Sequence, residues 1–172
     1  MRAWLERLLA IACLIGAGIV RADQVVLAPE EFLRQTFDAG AAPTPATLWL
    51  DDAAQDRLKP IFSHAYPQAR LHYWRAGGKT VWLLDDIGKE FPITAGFVVK
   101  DATIDRAQVL IYRESRGDEI RFPSFLKQFA GVHLKGAELS PQIDGISGAT
   151  LSVWAMQRMA RAALTLDALA AP

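Results

Sequence analysis

The sequence predicts an α+β fold, an antiparallel sheet with flanking helices, and three observations carry that prediction. Two stretches in the middle of the chain place alternating apolar residues on either side of short turns, the pattern of β-hairpins. The last stretch, Leu151 to Leu169, is a long run without breakers whose apolar residues recur at helical spacing. Shorter helical patterns precede and follow the strand region, so the helices are expected on one side of the sheet and at its ends.

The elements follow in chain order. Ala28-Pro29-Glu30-Glu31-Phe32-Leu33 opens a short helix. Pro29 suits its first turn, the two acids complement the positive end of the helix dipole, and Phe32, Leu33 and Phe37 make one apolar face. Gly40 to Pro45 is a breaker stretch, and Ala46 to Leu50 reads as a strand. Asp51-Asp52 then caps a second helix that runs roughly to Phe62, with Pro60 near its end. Leu71, Tyr73, Val81 and Leu83 alternate around Ala76-Gly77-Gly78-Lys79, the first hairpin. Asp85-Asp86-Ile87-Gly88 reads as a turn. Gly96 to Lys100 and Ala107 to Tyr112 pair around Lys100-Asp101-Ala102-Thr103, the second hairpin. Pro123 to Gly131, with Phe125, Leu126 and Phe129, has the pattern of a short helix, and Pro141 to Gly148 is a loop. In the last helix Met156 and Met159 read as core residues.

The chain has 172 residues, enough for one domain with a real core, and is 51% hydrophobic, which excludes a disordered chain. Lys+Arg 19 balance Asp+Glu 19, so no bulk positive potential is available to hold nucleic acid, and none is expected as a partner. A single cysteine, Cys13, excludes a disulfide scaffold, a cysteine zinc site, an iron–sulfur cluster and a c-type haem attachment. Residues 1–22 differ in kind from the rest. Arg2 and Arg7 precede the uncharged apolar run Leu8 to Val20, shorter than the span of about 20 residues that a membrane helix needs. Val20-Arg21-Ala22 then offers small or aliphatic residues where a signal peptidase reads. The expectation is a secretory signal peptide cleaved after about Ala22, a single domain over 23–172, and export to the periplasm. The alternative is a segment kept as a membrane anchor. Cys13 makes a poor lipoprotein site, because Ala10 stands where a leucine is wanted. A mature chain without cysteine is comfortable in an oxidising compartment.

Little of the chain is chemically suggestive. His64, His72 and His133 are scattered without metal-ligand spacing and read as surface or packing residues. The informative segment is Asp144-Gly145-Ile146-Ser147-Gly148-Ala149-Thr150-Leu151-Ser152, small residues with three hydroxyls directly before the long helix. It can be read as a helix N-cap after a glycine loop. It can also be read as a serine nucleophile, since Gly145-x-Ser147-Gly148-Ala149 nearly matches an esterase elbow. That reading fails on order, because the triad histidine should follow the serine and His133 precedes it, and because no strand is expected before the motif. A third reading is anion binding, since a glycine-rich loop feeding a helix N-terminus presents unpaired N–H groups and a positive dipole end.

The same nine residues resemble the flavinylation motif of the FMN-binding domain, found in the C subunit of the sodium-translocating NADH:quinone reductase, the G subunit of the Rnf complex and many secreted bacterial flavoproteins. Tyr112-Arg113-Glu114-Ser115-Arg116-Gly117 stands where that family has a strand ending in a Glu-x-x-Gly loop. Phe125 to Gly131 stands where it has a Phe-rich short helix. The resemblance covers roughly Pro92 to Leu166, and Ala28 to Asp86 is similar only to the small periplasmic members. Arg116 departs from the proline usual in the larger complexes' subunits, so flavin contacts there are not carried over from them.

The resemblance implies an FMN-binding domain type of fold, with FMN joined to Thr150 through a phosphoester by an FAD:protein FMN transferase. It implies cofactor-binding roles for Asp144, Ser147, Gly148, Ala149 and Ser152 around Thr150, and for Tyr112, Glu114, Arg116 and Gly117 in the facing loop. The phosphodiester at the helix start would gain about 0.3–1 kcal/mol from the dipole. With no acid/base pair for a substrate, the function implied is that of a periplasmic flavoprotein relaying electrons between a membrane-bound or periplasmic donor and acceptor, with the flavin doing the chemistry. Arg113 or Arg116 near the ring would favour the reduced anion and raise its potential, and Tyr112, Tyr73 or Trp74 could stack on it or serve sheet packing. The alternative function is a secreted ligand-binding or interaction module without covalent flavin.

Overall fold

The computed structural model describes residues 23–37 and 43–171. Residues 1–22, on which the expected signal peptide and Cys13 fall, and residues 40–42 of the Gly40 to Pro45 breaker stretch lie outside the described residues. Strand β1 (Gln24–Val25) leads to α1 (Pro29–Thr36), and β2 (Thr44–Trp49) leads to α2 (Asp52–Phe62). Four long strands follow: β3 (Arg70–Ala76), β4 (Lys79–Ile87), β5 (Pro92–Lys100) and β6 (Thr103–Tyr112). Then come the short helix α3 (Pro123–Leu126), flanked by single 3₁₀ turns, the small hairpin β7 (His133–Lys135) and β8 (Glu138–Ser140), and α4 (Thr150–Leu169). The sheet is antiparallel throughout, in the order β1-β6-β5-β4-β3-β2, so the fold is α+β as expected.

Turn chemistry sets the hairpin registers. Gly77 and Gly78 both have positive φ between the paired Ala76 and Lys79, and Asp101 and Ala102 both have positive φ between Lys100 and Thr103. Two positive φ values in a two-residue connection match the right-handed twist of the flanking strands. Asp51 caps α2, its Oδ1 accepting from the Ala54 N–H at 2.9 Å. Pro45 lies within β2, which starts earlier than expected; β2 is an edge strand, where a missing N–H costs no ladder bond.

The core is divided by the sheet. Trp82, Leu84, Phe97, Val99 and Val109 point to the face covered by α2 and α4, and Met156, Met159 and Ala163 pack there from α4. Val81, Val98 and Leu110, one residue out of phase, point to the other face and meet Phe32 and Phe37 from α1. The helices are therefore not confined to one side: α1 covers the second face because its apolar stripe has no other sheet surface to bury against. Gly96 makes this contact possible, since a Cβ there would stand 2.4 Å from the Phe32 ring.

Three further expectations are corrected. Asp85, Asp86 and Ile87 are not a turn but the end of β4; Thr94 Oγ1 across the ladder donates to Asp85 Oδ1 at 2.5 Å, and Asp86 is buried against Arg158. The chain turns afterwards, over Gly88 to Phe91. The edge strand β1 and the β7–β8 hairpin are too short to leave a periodic signal, so a strand does precede the Asp144 to Ser152 motif, ending at Ser140. Tyr73 does not stack on a ligand; it is buried against Trp82, ring centroids 4.5 Å apart, and Trp74 packs beside the α1 cluster.

Candidate functional site

Two segments distant in sequence meet at the N-terminus of α4. The first is the loop after β6. Tyr112 is buried, and its hydroxyl donates to the Arg116 carbonyl at 2.5 Å, curling residues 113–116 into a tight turn. Burial pushes the Tyr112 pKa up, opposed by a hydrogen bond with the Ser152 side chain on α4. Gly117 follows with φ +83°, and a Cβ on it would lie 2.8 Å from Ser152 Oγ and 3.4 Å from Ala149 Cα. Only glycine combines that backbone angle with that approach. Tyr112, Gly117 and Ser152 together bolt the loop to the helix start.

The second segment is the motif itself. Ala149 stands at the N-cap and offers no side chain to the first-turn N–H groups; the first backbone bond of the helix runs from the Val153 N–H to the Ala149 carbonyl at 2.9 Å. The helix begins at Thr150, one residue earlier than expected, with its side chain exposed. Gly148 before it has φ +86°, and nothing lies within 4 Å of where its Cβ would be. The result is a cleft of about 370 Å³ lined by Lys89, Glu114, Ser115, Arg116 and residues 148–152.

The expected site residues separate into three groups. Gly148, Ala149, Thr150, Ser152, Glu114 and Arg116 line this one cleft. Tyr112 and Gly117 lie beneath it as supports. Asp144 and Ser147 are exposed and outside its lining; the Asp144 N–H donates to Gln128 Oε1 at 2.8 Å. Of the three hydroxyls in the motif, Ser152 is buried and engaged with Tyr112, while Thr150 opens to the cleft.

Glu114 has a task that the sequence did not disclose. It is only 8% exposed, and its Oε1 accepts from the N–H groups of Lys89, Glu90 and Phe91 at 2.5, 2.7 and 2.9 Å. Its carboxylate therefore organises the turn between β4 and β5, and through that turn it places Lys89 on the cleft rim. Nothing in the sequence around Lys89 points to this role, because a carboxylate partner 25 residues away leaves no local signal. Arg113 is also committed elsewhere: it pairs with Asp23 at 3.1 Å and donates to Thr94 Oγ1 and the Pro92 carbonyl. Arg116 keeps its guanidinium exposed at the cleft.

An uncapped first helical turn, an accessible hydroxyl, open space over Gly148 and two cations on the rim fit the phosphate end of a flavin nucleotide. Among the described residues no cluster of three His, Cys, Asp or Glu could hold a metal ion, and no helix is long and apolar enough to cross a membrane.

Residues 88–165 match the family model of the FMN-binding domain. The match starts at the turn organised by Glu114 and runs to near the end of α4, so every residue lining the cleft falls inside it. It supports an FMN-binding domain protein, a flavoprotein, and the sheet-and-helix architecture accords with it. No curated protein and no solved structure matches the chain.

Proposed function

We propose that the protein is an extracytoplasmic electron carrier holding one FMN covalently on Thr150. The observation that carries this reading is the exposed hydroxyl of Thr150 at the first position of an uncapped helix, inside a cleft that lies wholly within the segment matching the FMN-binding domain.

In the attachment step the Thr150 oxygen attacks the FMN phosphorus of FAD. The new bond is oxygen to phosphorus, the pyrophosphate bond breaks, and AMP leaves with the pyrophosphate oxygen. The hydroxyl proton passes to the FAD:protein FMN transferase, which supplies base and metal, so this chain needs no base beside Thr150. The chain's own contribution is positional. The Tyr112–Gly117–Ser152 junction holds the loop away from the hydroxyl, and Lys89, Arg116 and the helix start receive the charge of the phosphodiester. Once bound, FMN supplies the redox chemistry, exchanging electrons with a membrane-bound or periplasmic donor and acceptor.

Export by way of residues 1–22, with cleavage after about Ala22, would expose the hydroxyl to the transferase outside the cytoplasm. A covalent cofactor suits that compartment, where dissociated flavin is lost.

Co-expression with the transferase and intact-mass analysis test the proposal. The protein should gain the mass of one FMN less water, and Thr150→Val should abolish the gain while leaving the fold intact. Flavin that maps to Ser147 or Ser152, or that survives Thr150→Val, refutes it, and flavin that is bound but removed by denaturation favours a noncovalent binding module. Deleting residues 2–22 should leave the protein in the cytoplasm without flavin in its native host.

A further inference from the structure

The large apolar side chains left open to solvent are segregated. Among the described residues seven of them stand 39–64% exposed, and all lie at the end of the sheet that holds the Thr150 cleft. Single exposed apolar residues scattered over a surface are ordinary; their collection at one end is not. Ile87 closes β4, and Phe91 sits in the turn that follows. Val25 pairs with Ile111, one residue short of the end of β6, and Trp49 ends β2 opposite Arg70, the first residue of β3. Phe122 follows Arg121, whose guanidinium lies 5.8 Å from the ring of Tyr112 at the end of β6. On α4, Leu151 lines the cleft with Lys89, and Trp154 stands one turn beyond Thr150. Arg158, one turn further, donates to the Ile87 carbonyl at 3.0 Å, which ties this part of the helix to the end of β4. The opposite end, formed by the turns Gly77-Gly78 and Asp101-Ala102 and the C-terminus of α4, exposes no large apolar side chain among the described residues.

These side chains do not join into one plane. They project from a turn, from strand ends and from the first turns of a helix, with Lys89, Glu90 and Arg116 among them. A protein partner buries a continuous, closely packed core. A bilayer surface yields around separate anchors, and tryptophan, phenylalanine and leucine are residues that enter its interfacial region. The charges agree. Asp23 pairs with Arg113 and Glu90 with Lys89, whereas Arg70 lies 5.6 Å from the Trp49 ring and makes no ion pair among the described residues, free to meet a lipid phosphate. Asp23, the first described residue, stands at this same end, and before it in the sequence comes the uncharged run Leu8 to Val20. Under the export proposed above, the bilayer that takes up that run lies against this end of the domain.

We infer that this end docks peripherally on a lipid bilayer, with Ile87, Leu151 and Trp154 as anchors, so that the Thr150 cleft opens at the membrane surface. The inference rests on that export and not on flavin attachment.

Every described element lies within 23–171, so the chain from Asp23 onward carries the whole surface without the apolar run. Sedimentation with vesicles of phosphatidylcholine and phosphatidylglycerol measures its partitioning. The unsubstituted chain should sediment with them. Ile87→Asp and Trp154→Asp should each weaken partitioning about tenfold, because a charge replaces an apolar side chain at the interface. Ala102→Asp adds the same charge at the far turn and should leave partitioning unchanged. Absence of sedimentation by the unsubstituted chain, or an equal loss from Ala102→Asp, overturns the inference. So does partitioning unmoved by Ile87→Asp and Trp154→Asp; if those variants instead dissociate a dimer in light scattering, the surface belongs to a second copy of this chain. Fractionation of cells making the full chain reads export separately, which tells failure of that reading from failure of the docking.

Discussion

Replacing Glu114 by glutamine and by alanine separates support of the cleft from contact with a ligand. One carboxylate oxygen, Oε1, receives three consecutive backbone N–H groups, from Lys89, Glu90 and Phe91. Bonds to a charged acceptor contribute about 1.5–3 kcal/mol each when nothing replaces them. Here the three share one oxygen, and Lys89 and Glu90 are exposed, so in Glu114→Ala water recovers much of the loss. The expected destabilisation is about 2–3 kcal/mol for alanine. Glutamine keeps a carbonyl oxygen in place but forfeits the charge, which roughly halves the strength of such bonds, so about 1 kcal/mol is expected. Urea unfolding gives the two totals, and amide hydrogen exchange localises them: residues 89–91 should lose protection in Glu114→Ala while the β5–β6 ladder keeps it. Flavin loading should fall with the alanine variant, because Lys89 is no longer held at the rim. If Glu114→Gln costs as much as alanine, or if exchange at 89–91 is unchanged, the carboxylate does not hold this turn and the argument fails.

Four other perturbations follow from the geometry. Gly117→Ala places a Cβ at a φ of +83° and 2.8 Å from Ser152 Oγ, so it should cost about 1–3 kcal/mol in thermal unfolding and lower flavin incorporation together; an unaffected melting point would mean that the loop and α4 are not locked. Burial pushes the Asp86 pKa up even though Arg158 opposes it, so the folded state holds this proton more tightly than the unfolded chain. Stability from this group therefore falls as pH rises from the ordinary aspartate value of 3.8 through the higher folded value, and Asp86→Asn should remove that slope from denaturant unfolding measured across the window. Arg158→Leu should cost about 3 kcal/mol at neutral pH, the low end for breaking a buried pair because the arginine is partly exposed, and the cost should shrink on acidification. Asp144 lies outside the cleft on an exposed loop, so Asp144→Ala should fold normally but be poorly flavinylated if it serves the transferase; unchanged flavin content returns it to an ordinary loop acid.

The sequence by itself determined the local parts. Asp51 announced α2, Gly77-Gly78 and Asp101-Ala102 announced the hairpins, and the run from Leu151 announced α4, because capping, turn conformation and amphipathic spacing are properties of neighbouring residues. The Ser147 to Thr150 run was legible for the same reason, since its small residues and hydroxyl are contiguous. The tertiary structure alone decided which face of the sheet α1 covers, that Asp86 ends a strand and is buried against Arg158, and that Glu114 supports the turn carrying Lys89. It also decided which motif hydroxyl opens to the cleft: Ser152 and Thr150 look alike in sequence, but Ser152 is packed against Tyr112 and Gly117 while Thr150 faces the cleft, and Ser147 is exposed outside it. Each of these depends on a partner dozens of residues away, brought near when the sheet closes and α4 docks across it, and no local pattern can encode a distance of that kind.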